Sequence, residues 1–169
     1  KNHFTLSSSL PIAFFYSLSE NLDAFFNDRE RLFDDCYPKC AFVIPTYEIS
    51  DNMTDSPPRT KSELLALVRQ GKARQFHQKF FSLNQGASKL DVWENATSGD
   101  DGAVRVLDEI EVKYEFMYEP SFVAHRKAPN FPEMFVGFGF TRNTQALEMF
   151  AAGFEFKGSV LSRGCLIVQ

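Results

Sequence analysis

The chain has 169 residues, 44% of them hydrophobic and 24% charged, which suits one domain with a buried core and excludes a disordered polymer. A net charge of −4 and a pI near 5.4 exclude the basic footprint of a nucleic-acid binder, so no nucleic-acid partner is expected. The longest apolar stretch, Leu10–Tyr16, is too short to span a bilayer, so a membrane anchor, if any, is expected outside this chain; opening on Lys1, the chain reads as a processed product, a fragment or an excised domain. Residues 1–18 show no clear period and are set apart as a divergent N-terminal segment. Ser19 has the character of an N-cap, and Leu22, Phe25, Phe26, Leu32 and Phe33 share one helical face, which predicts a helix to about Asp34. Cys40–Ile44, stopped by Pro45, predicts a buried strand. Asp51–Arg59, with Asp, Asn, Ser and two prolines, predicts a loop.

Thr60-Lys61-Ser62-Glu63 is a capping box: the Thr hydroxyl can accept from the amide three residues on while Glu63 reaches back. Leu64, Leu65, Leu67 and Val68 follow, and Gly71 closes the helix. Lys72–Leu83 fits no single period. Ser98–Gly102 is a turn or exposed loop, after which Val104, Val106, Ile110, Val112, Tyr114 and Phe116 fall at even positions, as strands with one wet face require. Met117–Ala124 predicts another strand, entered through Glu119-Pro120. Thr144–Ala152 predicts a helix with Ala146, Leu147, Phe150 and Ala151 inward and Gly153 closing it. Phe154–Phe156, Val160–Leu161 and Leu166–Val168 are short strand candidates. Alternating helices and strands predict an α/β fold with a mixed sheet flanked by helices.

Three cysteines, Cys36, Cys40 and Cys165, are an odd count. Cys36-x3-Cys40 is half of a metal-site spacing, but no His pair at ligand spacing completes it, so buried or disulfide-linked thiols are expected and no metal ligands are assigned. Asn52-Met53-Thr54 and Asn95-Ala96-Thr97 are N-glycosylation sequons, which points toward a secretory lumen.

Several motifs occur in a fixed order: Val43-Ile44-Pro45-Thr46-Tyr47-Glu48, then Lys61-Ser62-Glu63-Leu64-Leu65, then Tyr118-Glu119-Pro120-Ser121-Phe122-Val123. Pro129-Asn130-Phe131-Pro132-Glu133-Met134-Phe135, Gly137-Phe138-Gly139-Phe140-Thr141-Arg142, Glu148 and Gly153-Phe154-Glu155-Phe156 complete the set. This order resembles glycosyltransferase family 49, whose members include enzymes of dystroglycan glycan synthesis, and the resemblance covers about residues 19 to 168. It implies that 19–169 is the C-terminal part of a GT-A-like domain, incomplete and carrying its acceptor-side half. It further implies a UDP-sugar donor, a glycan or glycoprotein acceptor, Mn²⁺ as cofactor, the Golgi lumen as location, and inverting transfer of glucuronic acid or N-acetylglucosamine.

The sequence departs from the family at the metal. Members hold a divalent ion through Asp-x-Asp just before a Ser-Glu-x-Leu-like helix start; here Ser19-Glu20-Asn21-Leu22 is present, but residues 11–18 contain no carboxylate. The place of a metal-binding His after the last strand falls on Val168, and Thr141 stands where Asn is usual. A leaving diphosphate needs a cation against its developing charge, so the chain as given is expected to release no UDP in the presence of Mn²⁺. Two function classes follow: a family transferase represented by part of its sequence, or a non-catalytic form that keeps a glycan- or partner-binding surface.

Glu119 is the candidate base or acceptor-hydroxyl contact, against the alternative of an exposed strand-end acid. Arg142 is the candidate grip on a sugar carboxylate or diphosphate, against a surface Arg at a helix start. Gly137, Gly139 and Thr141 are candidates for close approach to a sugar; Gly137 and Gly139 more simply allow a tight turn. Glu48 is a candidate cleft residue or a solvated loop acid, and Trp93 a sugar-stacking ring or a core residue. Glu148 is assigned a buried structural hydrogen bond. His77 and His125 share no ligand spacing, and Asp108, Glu109 and Glu111 read as a solvated strand face.

Overall fold

In the computed structural model, residues 4–7, 36, 38–50, 58, 60–96, 104–131, 141–161 and 166–168 are described, without the side chains of 4–7, 104–111, 141, 159–161 and 166–168. The predicted helix from Ser19 to about Asp34, the loop at 98–102, Cys165, Asn52, Gly137 and Gly139 lie outside the described residues. The first described element, β1 (Phe4–Ser7), is followed by β2 (Cys40–Ile44), β3 (Thr46–Ile49), α1 (Lys61–Arg69), β4 (Ala73–Gln75), α2 (Leu83–Gly86) and α3 (Leu90–Asn95). Then come β5 (Val104–Val112), β6 (Ser121–His125), α4 (Thr141–Ala151), β7 (Glu155–Leu161) and β8 (Leu166–Val168). The architecture is mixed α/β, as expected.

Five strands form one sheet in the order β1-β6-β2-β7-β5, and three form another in the order β4-β3-β8. Both sheets are mixed: β2 runs antiparallel to β6 and parallel to β7, while β3 runs antiparallel to β4 and parallel to β8. β2 has neighbours on both sides, and all five of its residues are buried, which is why it reads as an unbroken apolar run rather than an alternating one. Pro45 separates β2 from β3, so Glu48 sits in a strand and not in a loop. Phe156 anchors the aromatic part of the core, edge-on to Tyr118 at 5.7 Å and to Phe122 at 6.3 Å.

Both predicted glycine stops are Schellman endings. After α1, Gly71 (φ +70°) donates to the Val68 carbonyl and Lys72 to that of Leu67. After α4, Gly153 (φ +80°) donates to Phe150 and Phe154 to Met149. The capping box at Thr60 is formed, with Glu63 N–H donating to Thr60 Oγ1 at 3.2 Å and Thr60 N–H to Glu63 Oε2 at 3.3 Å. The Lys39 ammonium donates to the Ala152 carbonyl at 2.8 Å, where a cation suits the negative end of α4, and Glu155 N–H donates to the Lys39 carbonyl.

Three expectations are corrected, and one stretch that fits no single period is resolved. β5 ends at Val112, because Tyr118 N–H turns back onto the Glu115 carbonyl and Met117 takes φ +67°; Phe116, though in phase with the alternation, is exposed, and β6 begins only at Ser121. Residues 72–83 divide into β4 and turns leading to α2. α4 begins at Thr141, and its inner face carries Gln145, Ala146 and Met149, whereas Leu147, Phe150 and Ala151 are exposed. The inner face is partly polar because Gln145 donates to the Pro129 carbonyl at 2.9 Å, and Phe150 finds its partner outside, stacked on Tyr114 at 4.9 Å. Lastly, Glu148 is exposed, so the buried structural role assigned to it does not hold; its carbonyl accepts from Ala152 N–H.

Candidate functional site

Two segments far apart in sequence converge on one point. Glu119 lies just after the Met117 turn and just before β6, and its backbone is fixed on both sides by α2. Its N–H donates to the Asn84 carbonyl at 2.8 Å, and Gln85 Nε2 donates to its carbonyl at 2.9 Å. Arg142 is on the first turn of α4, which the chain anchors through Gln145 and through Asn143 Nδ2 against Met117 Sδ at 3.2 Å. The result is an ion pair, Arg142 Nη2 to Glu119 Oε2 at 3.7 Å, with side chains only 13% and 16% exposed. The two best sequence candidates are therefore neighbours.

A wall of groups backs the pair. The Arg142 guanidinium lies over the Phe76 ring at 5.7 Å, and that ring stacks on His77 at 3.9 Å. Burial pushes the Arg142 pKa below its ordinary value, and the Glu119 carboxylate opposes that shift. Asn84 Nδ2 meets His77 Nδ1 at 3.0 Å; with Nδ1 accepting, the proton of a neutral His77 ring is on Nε2. His77 N–H donates to Glu48 Oε2 at 3.4 Å, and Glu48 Oε1 pairs with Arg74 Nε. One network thus runs from Arg142 through Glu119, Asn84, His77 and Glu48 to Arg74. Asn84 is fully buried, and among the described residues its Oδ1 has no hydrogen-bond partner. His77 and Met117, on either side of this point, both hold left-handed backbone, at φ +57° and +67°. Non-glycine residues in that region are strained by roughly 1–2 kcal/mol each and gather at binding and catalytic sites.

Glu48 belongs to the edge of this network. Trp93 does not: it is 1% exposed, tilted against Tyr47 at 5.7 Å and covered by the Lys61 ammonium at 4.6 Å, so it is a core ring with no face for a sugar. Thr141 opens α4 one residue from Arg142, its side chain outside those described. Asn95 is exposed at the end of α3, with Nδ2 on the Asp91 carbonyl at 2.8 Å. Phe76 and Asn84 were missed because residues 72–83 carry no period and α2 spans a single turn. The available signal was the His77 to Asn84 cluster of polar and aromatic residues in a stretch that no helix or strand pattern explained.

Among the described residues no group of three His, Cys, Asp or Glu side chains is placed to hold a metal ion. Glu48 and Glu119 are each met by an arginine, His77 shares Nδ1 with Asn84, and Cys36 and Cys40 form a disulfide. These residues do not fit a Mn²⁺ site.

The profile of a protein family described as "Glycosyl-transferase for dystroglycan" matches residues 1–167. Beta-1,4-glucuronyltransferase 1 of Bos taurus is 33% identical over 127 residues, 75% of this chain and 29% of that protein. The Homo sapiens protein of the same name is 32% identical over the same shares. Xylosyl- and glucuronyltransferase LARGE2 of Mus musculus is 31% identical over 143 residues, 83% of this chain and 18% of that protein. The matched part of the chain thus spans less than a third of the length of these relatives.

Proposed function

Because this chain belongs to the family of glycosyltransferases for dystroglycan, we infer that it forms the acceptor-side part of a GT-A-like sugar transferase. The reaction inferred is inverting transfer of glucuronic acid, or N-acetylglucosamine, from a UDP-sugar to a glycan in protein O-mannosyl glycan synthesis in the Golgi lumen. Residues 19–169 are assigned to this part and 1–18 to a divergent N-terminal segment, whose Phe4–Ser7 strand joins the five-stranded sheet. The observation that carries the reading is the Glu119–Arg142 pair: it joins two motifs of the family pattern, 23 positions apart, in one half-buried site backed by an aromatic ring.

The chemistry assigned to the site is limited to its own side chains. Glu119 offers oxygens that accept from an acceptor hydroxyl, orienting that oxygen toward the anomeric carbon of the donor. As the new C–O bond forms and the bond to the diphosphate breaks, the hydroxyl proton passes to the carboxylate and UDP leaves with the bonding pair. Arg142, planar and desolvated, both holds Glu119 and presents donors to a carboxylate or phosphate.

The second reading, a non-catalytic glycan-binding form, is favoured by one specific observation: residues 11–18 carry no carboxylate, and Val168 stands where the family's pattern has a metal-binding His. UDP release from UDP-glucuronate and UDP-N-acetylglucosamine, with a xyloside or lactosamine acceptor and Mn²⁺, separates the two roles. The 169-residue chain is expected to bind an acceptor saccharide and to release no UDP. Robust turnover would overturn the non-catalytic reading, and absence of binding to either saccharide would overturn the site.

A further inference from the structure

Glu48 also lines a cleft of about 450 Å³, bounded by Ser50 at the end of β3, Gly71 and Lys72 after α1, Arg74 of β4, and Lys79. The volume lies within the range of small-molecule sites, roughly 300–1,000 Å³, yet most of its lining is polar or charged, which suits a polar ligand. Three cations face one carboxylate in a chain whose net charge is −4, so the local excess is positive against the global balance. Glu48 offsets Arg74, and the pair fixes the guanidinium through Nε, leaving its Nη donors for a ligand. Among the described residues Lys72 and Lys79 make no ion pair, so they supply the excess.

The backbone that presents these groups is held in place. The Schellman turn at Gly71 delivers Lys72, whose carbonyl accepts from Ser50 N–H at 2.9 Å and ties the turn to the end of β3. Arg74 is opposite Glu48 in the β3–β4 register. His77, in left-handed backbone with its carbonyl accepting from Phe80 and Phe81, turns the chain that carries Lys79.

We propose that this cleft is an oxyanion site, with Lys72, Arg74 and Lys79 taking the carboxylate of an acidic sugar or a phosphate group. Glu48 and Arg74 are the far end of the network that begins at Arg142, but Lys72 and Lys79 lie outside that network, so a variant of these two lysines tests this cleft independently of Glu119. The test is an amide NMR titration of the labelled 169-residue chain with glucuronate, inorganic phosphate and, as neutral control, glucose. Either anion is expected to shift Ser50, Lys72 and Lys79, with glucose leaving them unmoved. The Lys72→Ala/Lys79→Ala variant should raise Kd about tenfold, and added salt should weaken binding. Preference for glucuronate assigns an acidic sugar, and preference for phosphate a phosphoryl group. No shift with either anion, equal shifts with glucose, or unchanged affinity in the double variant overturns the proposal.

Discussion

Lys61 shows how a single residue can be functional-looking and structural. It opens α1 at 3% exposure, yet its ammonium donates to the Trp93 carbonyl and, at 2.6 Å, to the Ala96 carbonyl. It therefore closes the C-terminus of α3, and burial holds its pKa below the usual lysine value although Glu94 opposes the shift. Lys61→Met would take the ammonium from both carbonyls, leaving that of Trp93 to the Ala96 N–H at 3.3 Å, and is expected to cost about 2–3 kcal/mol in urea unfolding. His125 makes a pH prediction. Burial first, then Lys127 and Arg126, lowers its folded pKa, so the unfolded chain takes up a proton first. Its contribution is complete above about pH 6.5 and is lost as pH falls through the lower folded value. In His125→Asn, which keeps an acceptor for the Lys127 N–H, the thermal midpoint should fall less between pH 7 and 5 than in the parent; an equal fall would contradict this.

At the scale of elements, the glycine stops are the most testable feature. Gly71 faces open space, so Gly71→Ala meets no clash and reports only its positive φ, an expected loss of about 1 kcal/mol by chemical unfolding. These endings, the Thr60 box and β2 were legible because each rests on local chemistry: a hydroxyl at an N-cap, a residue without Cβ at C′, a short apolar run ended by proline. The face of α4 was not legible. Its inward Gln145 is satisfied by a carbonyl 16 residues away and its outward Phe150 by Tyr114, and both partners are tertiary. The site was half legible for the same reason. Glu119 and Arg142 stood out at the joints of the pattern, but that they meet depends on α2, a one-turn helix with no sequence period.

At the scale of the whole molecule, the two mixed sheets share a core to which β2, β3, α1 and α4 all contribute, and the candidate network runs along its rim from Arg142 to Arg74. The Cys36–Cys40 disulfide sits at the entry to β2 and suits the oxidising lumen inferred for the protein. Opening it should cost about 2 kcal/mol by loop entropy, so unfolding with and without reductant should differ by that amount; identical curves would contradict a formed bond. Titration of a β-xyloside and a lactosamine into the labelled chain, with Glu119→Gln alongside, tests the central claim most directly. One of the saccharides is predicted to shift signals of Phe76, His77, Glu119 and Arg142. Glu119→Gln, with its far-UV circular dichroism unchanged, is predicted to weaken that binding about ten- to a hundredfold. Binding that leaves these signals unmoved, or that Glu119→Gln does not weaken, would contradict it.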